Sequence, residues 1–320
     1  MLRTMPKPDS SAVRPAAPPL VPGWAIPRGQ VASDAEAAFL AGAALTSLDN
    51  LVRAEPLWAG AWRQRLALKC AVAAVELAGR TEDEAELRDA WHLRAAHSDP
   101  GPAGNLLVAW RRLAGRAPRL SPEELRAVAG LLGLRWSEEF AALPERLDEL
   151  ARSAHPAPLV AAAIIAEVQQ IRPEASLLGW WLADRVLAAR LRWSLPVPLL
   201  MAQVPGPAFR AANGRGRVRA GDQGFERAVC VALALAAAEA CRLAGEIAPP
   251  AARLIEVAPK LRAKGAGEVV QLLLADDAVS GTLQTRDLTR WGARRLFERL
   301  TALNAVRELS GRASFRLYGL

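Results

Sequence analysis

An all-α fold, a helical bundle ending in a small winged helix-turn-helix, is what three features of this sequence predict. Ala, Leu and Arg dominate its 320 residues while aromatic residues make up 5%, a bias toward strong helix formers and away from strand formers. Apolar residues recur at helical spacing in one segment after another. Pro- and Gly-rich breaks separate those segments.

Seven prolines lie between Pro6 and Pro27, which forbids helix and predicts an extended, mobile arm over residues 1–30, its end pinned by Trp24. A helical core is expected over 31–250. Ser33 or Asp34 caps a first helix carrying Phe39, Leu40, Leu45, Leu48 and Leu51, closed by Pro56. The stripe Trp62, Leu66, Cys70, Ala73 and Leu77 marks a second, stopped by Gly79. Thr81 with Glu84 reads as a capping box for a third, through Leu87, Trp91 and Leu93. Ser98–Gly104 reads as a loop. Further helices are expected over 104–114, 122–132 with Ser121 as cap, 137–153, 157–170 and 175–192. After the Pro/Gly/Arg-rich break 196–224, a helix from Phe225 to Ile247 is apolar on most faces and therefore buried, with Pro249 and Pro250 closing it. Residues 251–320 change character. Helices near 264–275 and 290–304 precede two strand-like runs, Val306–Leu309 and Ser314–Tyr318, joined by a Gly-containing turn. Helix then hairpin is the order of a winged helix-turn-helix, although 275–288 leaves little room for its middle helix.

Composition bounds function. The charge of +8 fits nucleic acid or anionic lipid, and equally a solvated basic surface. Cys70, Cys230 and Cys241 make no disulfide framework and read as buried thiols of a reducing cytoplasm. The apolar run Ala228–Ala238 is shorter than the roughly 20 residues a membrane span requires, and no export signal is seen, so no membrane partner is expected. His92, His97 and His155 lack metal-ligand spacing, and no metal, cofactor or catalytic residue is expected. The loop Asn213, Gly214, Arg215, Gly216, Arg217 has the composition of a phosphate cradle, without the Lys-Ser/Thr of a P-loop; a mobile basic loop accounts for it as well. Of Trp180 and Trp181, about 100° apart on a helix, one is expected in the core and the other over an interface or groove. The C-terminal module supplies DNA-binding candidates: Arg290, Arg294, Arg295 and Arg299 on its second helix, Arg312 and Arg316 on the wing. Leu288, Trp291, Leu296, Phe297, Leu300 and Leu303 are expected on the packed side.

The text Trp58-Ala59-Gly60-Ala61-Trp62-Arg63, Leu87-Arg88-Asp89-Ala90-Trp91-His92-Leu93, Asp99-Pro100-Gly101-Pro102-Ala103-Gly104 and Leu178-Gly179-Trp180-Trp181-Leu182-Ala183-Asp184 resembles an alphaproteobacterial family, domain of unknown function 1403, over nearly everything after the arm. The tail from Lys264 to Leu320 also resembles the winged helix carried by many Fic-type proteins. Fic enzymes transfer AMP to a protein hydroxyl with the motif His-Pro-Phe-x-Asp/Glu-Gly-Asn-Gly-Arg-x-x-Arg, in which the His is the general base, the acid holds magnesium and the glycine turn and arginines hold phosphates. Where that motif would fall, this chain reads Arg172-Pro173-Glu174-Ala175-Ser176-Leu177-Leu178-Gly179. Arg172 cannot accept a proton near neutrality, Ser176 replaces the acid and the arginines are gone. Asn213-Gly214-Arg215 copies the motif's centre, but Pro207 and Ala211 stand at its base and acid positions. The Glu-Gly end of the restraining helix is lost as well, Gly79 following Ala78. The resemblance therefore implies a degenerate Fic-like core and a non-enzymatic protein, DNA-binding or regulatory through its winged helix. The alternatives are a protein-interaction scaffold docking through the same surfaces and a cryptic nucleotidyl transferase.

Overall fold

A computed structural model describes residues 17–95, 98–211 and 215–320, and the fold is all-α. The bundle is made of α1 (Asp34–Ala54), α2 (Ala59–Leu77), α3 (Glu84–His92), α4 (Gly101–Gly115), α5 (Pro122–Leu131), α6 (Leu143–Arg152), α7 (Ala157–Ile171), α8 (Ser176–Leu191) and α9 (Phe225–Val257). After it come α10 (Ala266–Ala275), β1 (Val279–Ser280), α11 (Arg290–Ala302), β2 (Arg307–Glu308) and β3 (Leu317–Gly319). α9 lies at the centre, packed on α1, α7 and α2; α7 pairs with α8, and α2 with α4, α3 and α10.

Side-chain caps set the starts of α1, α3, α5 and α11. Ser33 Oγ accepts from Glu36 N at 3.1 Å and Ser121 Oγ from Glu124 N at 3.2 Å. The box before α3 is Asp83 with Glu86, rather than Thr81 with Glu84: Asp83 accepts from Ala85 N and Glu86 N, and Glu86 accepts from Asp83 N. α4 begins earlier than expected, at Gly101, because Pro102 suits a first helical turn. Pro144 likewise opens α6, so the helix expected over 137–153 is divided into a 3₁₀ turn at Glu138–Phe140 and α6.

Pro249 and Pro250 do not close α9, which runs through them to Val257. Each proline costs one backbone hydrogen bond, but Ala251, Leu254 and Val257 beyond them are buried, and Arg253 Nε donates to the Leu303 carbonyl at 3.2 Å. Apolar burial and that anchor outweigh two missing bonds. The boundary expected at 250 therefore falls inside a helix. The stretch Phe225–Lys260 has the length to cross a membrane and its most apolar 18-residue window has a mean hydropathy of 1.7, but 72% of that window is buried within the protein, as befits a core helix.

The end of the proline arm packs on the bundle. Val21, Ala25 and Val31 are buried, and Trp24 stacks on Phe39 of α1 with ring centroids 5.8 Å apart. The mobility expected up to residue 30 thus does not hold for residues 17–31; residues 1–16 lie outside the described residues. Trp180 and Trp181 are both core. Trp181 donates to the Ala109 carbonyl at 2.9 Å, and Trp180 is covered edge-on by Phe209, 5.2 Å between centroids, so neither lines a groove. Cys70, Cys230 and Cys241 are buried and unpaired, and burial pushes the last two thiols to about 11 and about 12.

The segment after α9 is welded to the bundle. A Cβ on Gly60 of α2 would stand 2.7 Å from the Ala275 backbone, so only glycine lets the end of α10 approach so closely. Asp277, the next turn on, accepts from Arg65 of α2 and, at 2.6 Å, from Arg88 of α3. Its neighbour Asp276 takes a bidentate pair from Arg111 of α4 at 2.8 and 2.7 Å. The guanidinium of Arg111 also lies 4.4 Å from the centre of the Trp91 ring, which Arg94 faces at 3.9 Å. His92, enclosed in this cluster, is held at about 4 by desolvation and by the nearby arginines, with Asp276 opposing them.

Candidate nucleic-acid interface

The strands β1, β3 and β2 lie in that order in one antiparallel sheet, with Val279 opposite Tyr318 and Glu308 opposite the same residue from the other side. α11 packs on this sheet through Ala293, Leu296, Phe297 and Leu300, all buried, and Phe297 stacks on Tyr318 at 4.5 Å. Thr289 starts the helix, its Oγ1 accepting from Gly292 N at 3.2 Å. The nine residues before α11 form no helix; Gly281 sits so close to Tyr318 that a Cβ there would lie 2.9 Å from its ring.

The buried stripe fixes which way the remaining side chains point. At 100° per residue, Trp291 lies about half a turn from the centre of that stripe, and it is 64% exposed, not packed as expected. Arg290, Arg294, Arg295 and Arg299 flank it, all exposed. Arg294 pairs with Glu298 at 3.0 Å, and Arg290 stands over the Trp291 ring at 5.7 Å. Arg295 and Arg299 have no carboxylate within ion-pair reach among the described residues. The turn between β2 and β3 brings Phe315 and Arg316 alongside, closing a cleft of about 360 Å³ floored by Gly281 and Tyr318.

Arg312 points elsewhere. Both of its terminal nitrogens bind the Asp89 carboxylate on α3, so it ties the wing to the bundle. Arg316 donates to the Arg312 carbonyl at 3.1 Å and lies 3.7 Å from Glu308, while staying exposed. Of the six arginines proposed from sequence, five therefore share the outer surface and one is a strut. Trp291 and Phe315 are the members that sequence reasoning missed. For Trp291 the signal was available, since it falls off the stripe of 293, 296, 297 and 300.

Of the loop over 213–217, Arg217 lines another place, a cleft of about 720 Å³ between the arm, residues 207–211 with Arg217 and Val218, and the start of α9. Asn213 and Gly214 lie outside the described residues. Gly216 adopts a left-handed φ of 79°. Arg217 is turned onto the chain itself, donating to the carbonyls of Val204, Pro205 and Gly206. Arg172 lies between α7 and α8 and pairs with Glu174 at 2.5 Å. Among the described residues no three His, Cys, Asp or Glu side chains converge as metal ligands.

These features define a class: an all-helical protein whose C-terminal unit is fixed to the bundle and presents a basic, aromatic surface. The chain belongs to the family described as protein of unknown function (DUF1403), whose sequence model matches residues 10–320. A comparison with curated proteins finds no match.

Proposed function

We propose that this is a non-enzymatic, nucleic-acid-binding protein, regulatory in role, that uses the outer face of α11 and the adjoining wing. The observation that carries the reading is the set of exposed arginines around Trp291 on a helix whose opposite face is buried in a three-stranded sheet. Helix, strand, helix and hairpin with sheet order β1-β3-β2 is consistent with a winged helix whose middle helix is replaced by an irregular segment, and this supports the reading because the exposed helix and wing are the parts of such a unit that meet DNA. Charge supports the assignment. Residues 251–320 hold twelve arginines and lysines against seven acids, and two of those acids, Asp276 and Asp277, are already matched by arginines of the bundle.

The test is the salt dependence of binding by the full chain, because the C-terminal unit is bonded into the bundle. Mixed genomic fragments should bind near physiological ionic strength, and Arg295→Ala with Arg299→Ala should flatten the slope of log affinity against log salt by about one unit for each phosphate released. Binding only at low salt, or a slope indifferent to both arginines, would leave the aromatic surface as a docking site for protein.

A further inference from the structure

Resting on the nucleic-acid reading of α11, we infer that the cleft between Trp291 and Phe315 takes single-stranded nucleic acid, with unpaired bases stacked on its two aromatic rings. Trp291 is 64% and Phe315 61% exposed, and both line one cleft with Arg290, Arg294 and Arg316. In a duplex the base faces are covered by their neighbours, so flat aromatic surfaces at a basic cleft gain most from bases that are already unstacked. Arginine beside aromatic rings is the combination that grips a single strand by phosphate and base together.

The backbone supplies an independent indication. Phe315 has φ of 52°, a left-handed conformation that disfavours a bulky side chain and favours Gly or Asn. Neither packing nor local conformation calls for phenylalanine there, since the ring is mostly in solvent. Strain retained at an exposed aromatic residue points to a role in recognition.

The experiment compares a labelled, mixed-sequence strand of roughly 20 nucleotides with its duplex, each bound to the full chain at about 150 mM salt. The single strand should bind at least about tenfold more tightly. Trp291→Ala and Phe315→Asn should each lower single-strand affinity about five- to hundredfold, the range for losing one stacked base, and leave duplex affinity within about twofold. Phe315→Asn should melt no lower than the parent, because Asn tolerates the left-handed backbone, so its loss of affinity is a loss of the ring. Arg295→Ala with Arg299→Ala should weaken both ligands. Equal or tighter duplex binding, or a single-strand affinity unchanged by both aromatic substitutions, overturns the inference while leaving α11 as the interface. Binding to neither ligand overturns the reading of α11 itself.

Discussion

Asp277→Asn is expected to destabilise the full chain by about 3–5 kcal/mol, the usual cost of removing one partner from a buried ion pair. Asp277 is 3% exposed and faces two buried guanidinium groups, Arg65 and Arg88. The amide leaves Arg65 in a dry place with no carboxylate partner, and Arg88 with only the more exposed Glu84 at 3.2 Å. Arg63→Met, two residues before Arg65, is the control: Arg63 is as deeply buried, yet its Nε and one terminal nitrogen meet no acceptor. Its burial costs desolvation that only the charge of Glu55 and the Trp62 ring, 5.9 Å away, offset, so methionine should change stability by less than about 1 kcal/mol or raise it. Urea unfolding with near- and far-ultraviolet circular dichroism measures both. A single transition shifted by Asp277→Asn is the expected result, since α9 and these pairs join the C-terminal unit to the bundle. An early, separate transition in the parent chain would show that the unit folds on its own.

Arg185→Leu is expected to cost a similar amount, about 3–5 kcal/mol. The side chain is fully buried over the Trp181 ring, its charge 4.9 Å from the ring centre. It donates to the carbonyls of Ala117, Pro118 and Arg119 and makes a bidentate pair with Glu124 at 3.0 and 2.9 Å. Leucine fills part of the space but leaves three carbonyls and a nearly buried carboxylate without a donor. The turn between α4 and α5 should open with it, so hydrogen exchange over 116–124 should accelerate well before global unfolding. Unchanged protection there would mean that packing of α5, through Leu125 and Val128, holds the turn without the arginine.

Most helices were legible because they carry local signals: Ser33 and Ser121 as caps, stripes such as Leu66, Cys70 and Ala73 on α2, and Gly79 with its left-handed φ of 74° after it. What escaped notice depends on partners far along the chain. The continuation of α9 past Pro249 and Pro250 rests on tertiary burial and on Leu303, fifty residues on. β1 is two residues long, too short for any alternation to show. The pairs of Asp276 and Asp277 with Arg111, Arg65 and Arg88 join residues more than 160 positions apart, and no spacing rule connects them. At the candidate site the arginines were readable as a basic face. That Arg312 is consumed by Asp89 follows only from the fold, and so does the meeting of Phe315 with Trp291 across one cleft.

The most direct test of the central claim is photochemical crosslinking of the full chain to a mixed-sequence nucleic acid near physiological salt, with the attached peptides mapped by mass spectrometry. Crosslinks concentrated in α11 and the turn 309–316, and abolished when Arg295 and Arg299 are both replaced by alanine, are the predicted result. Crosslinks confined to the basic loop around Arg217, or none at all at that salt concentration, would contradict it.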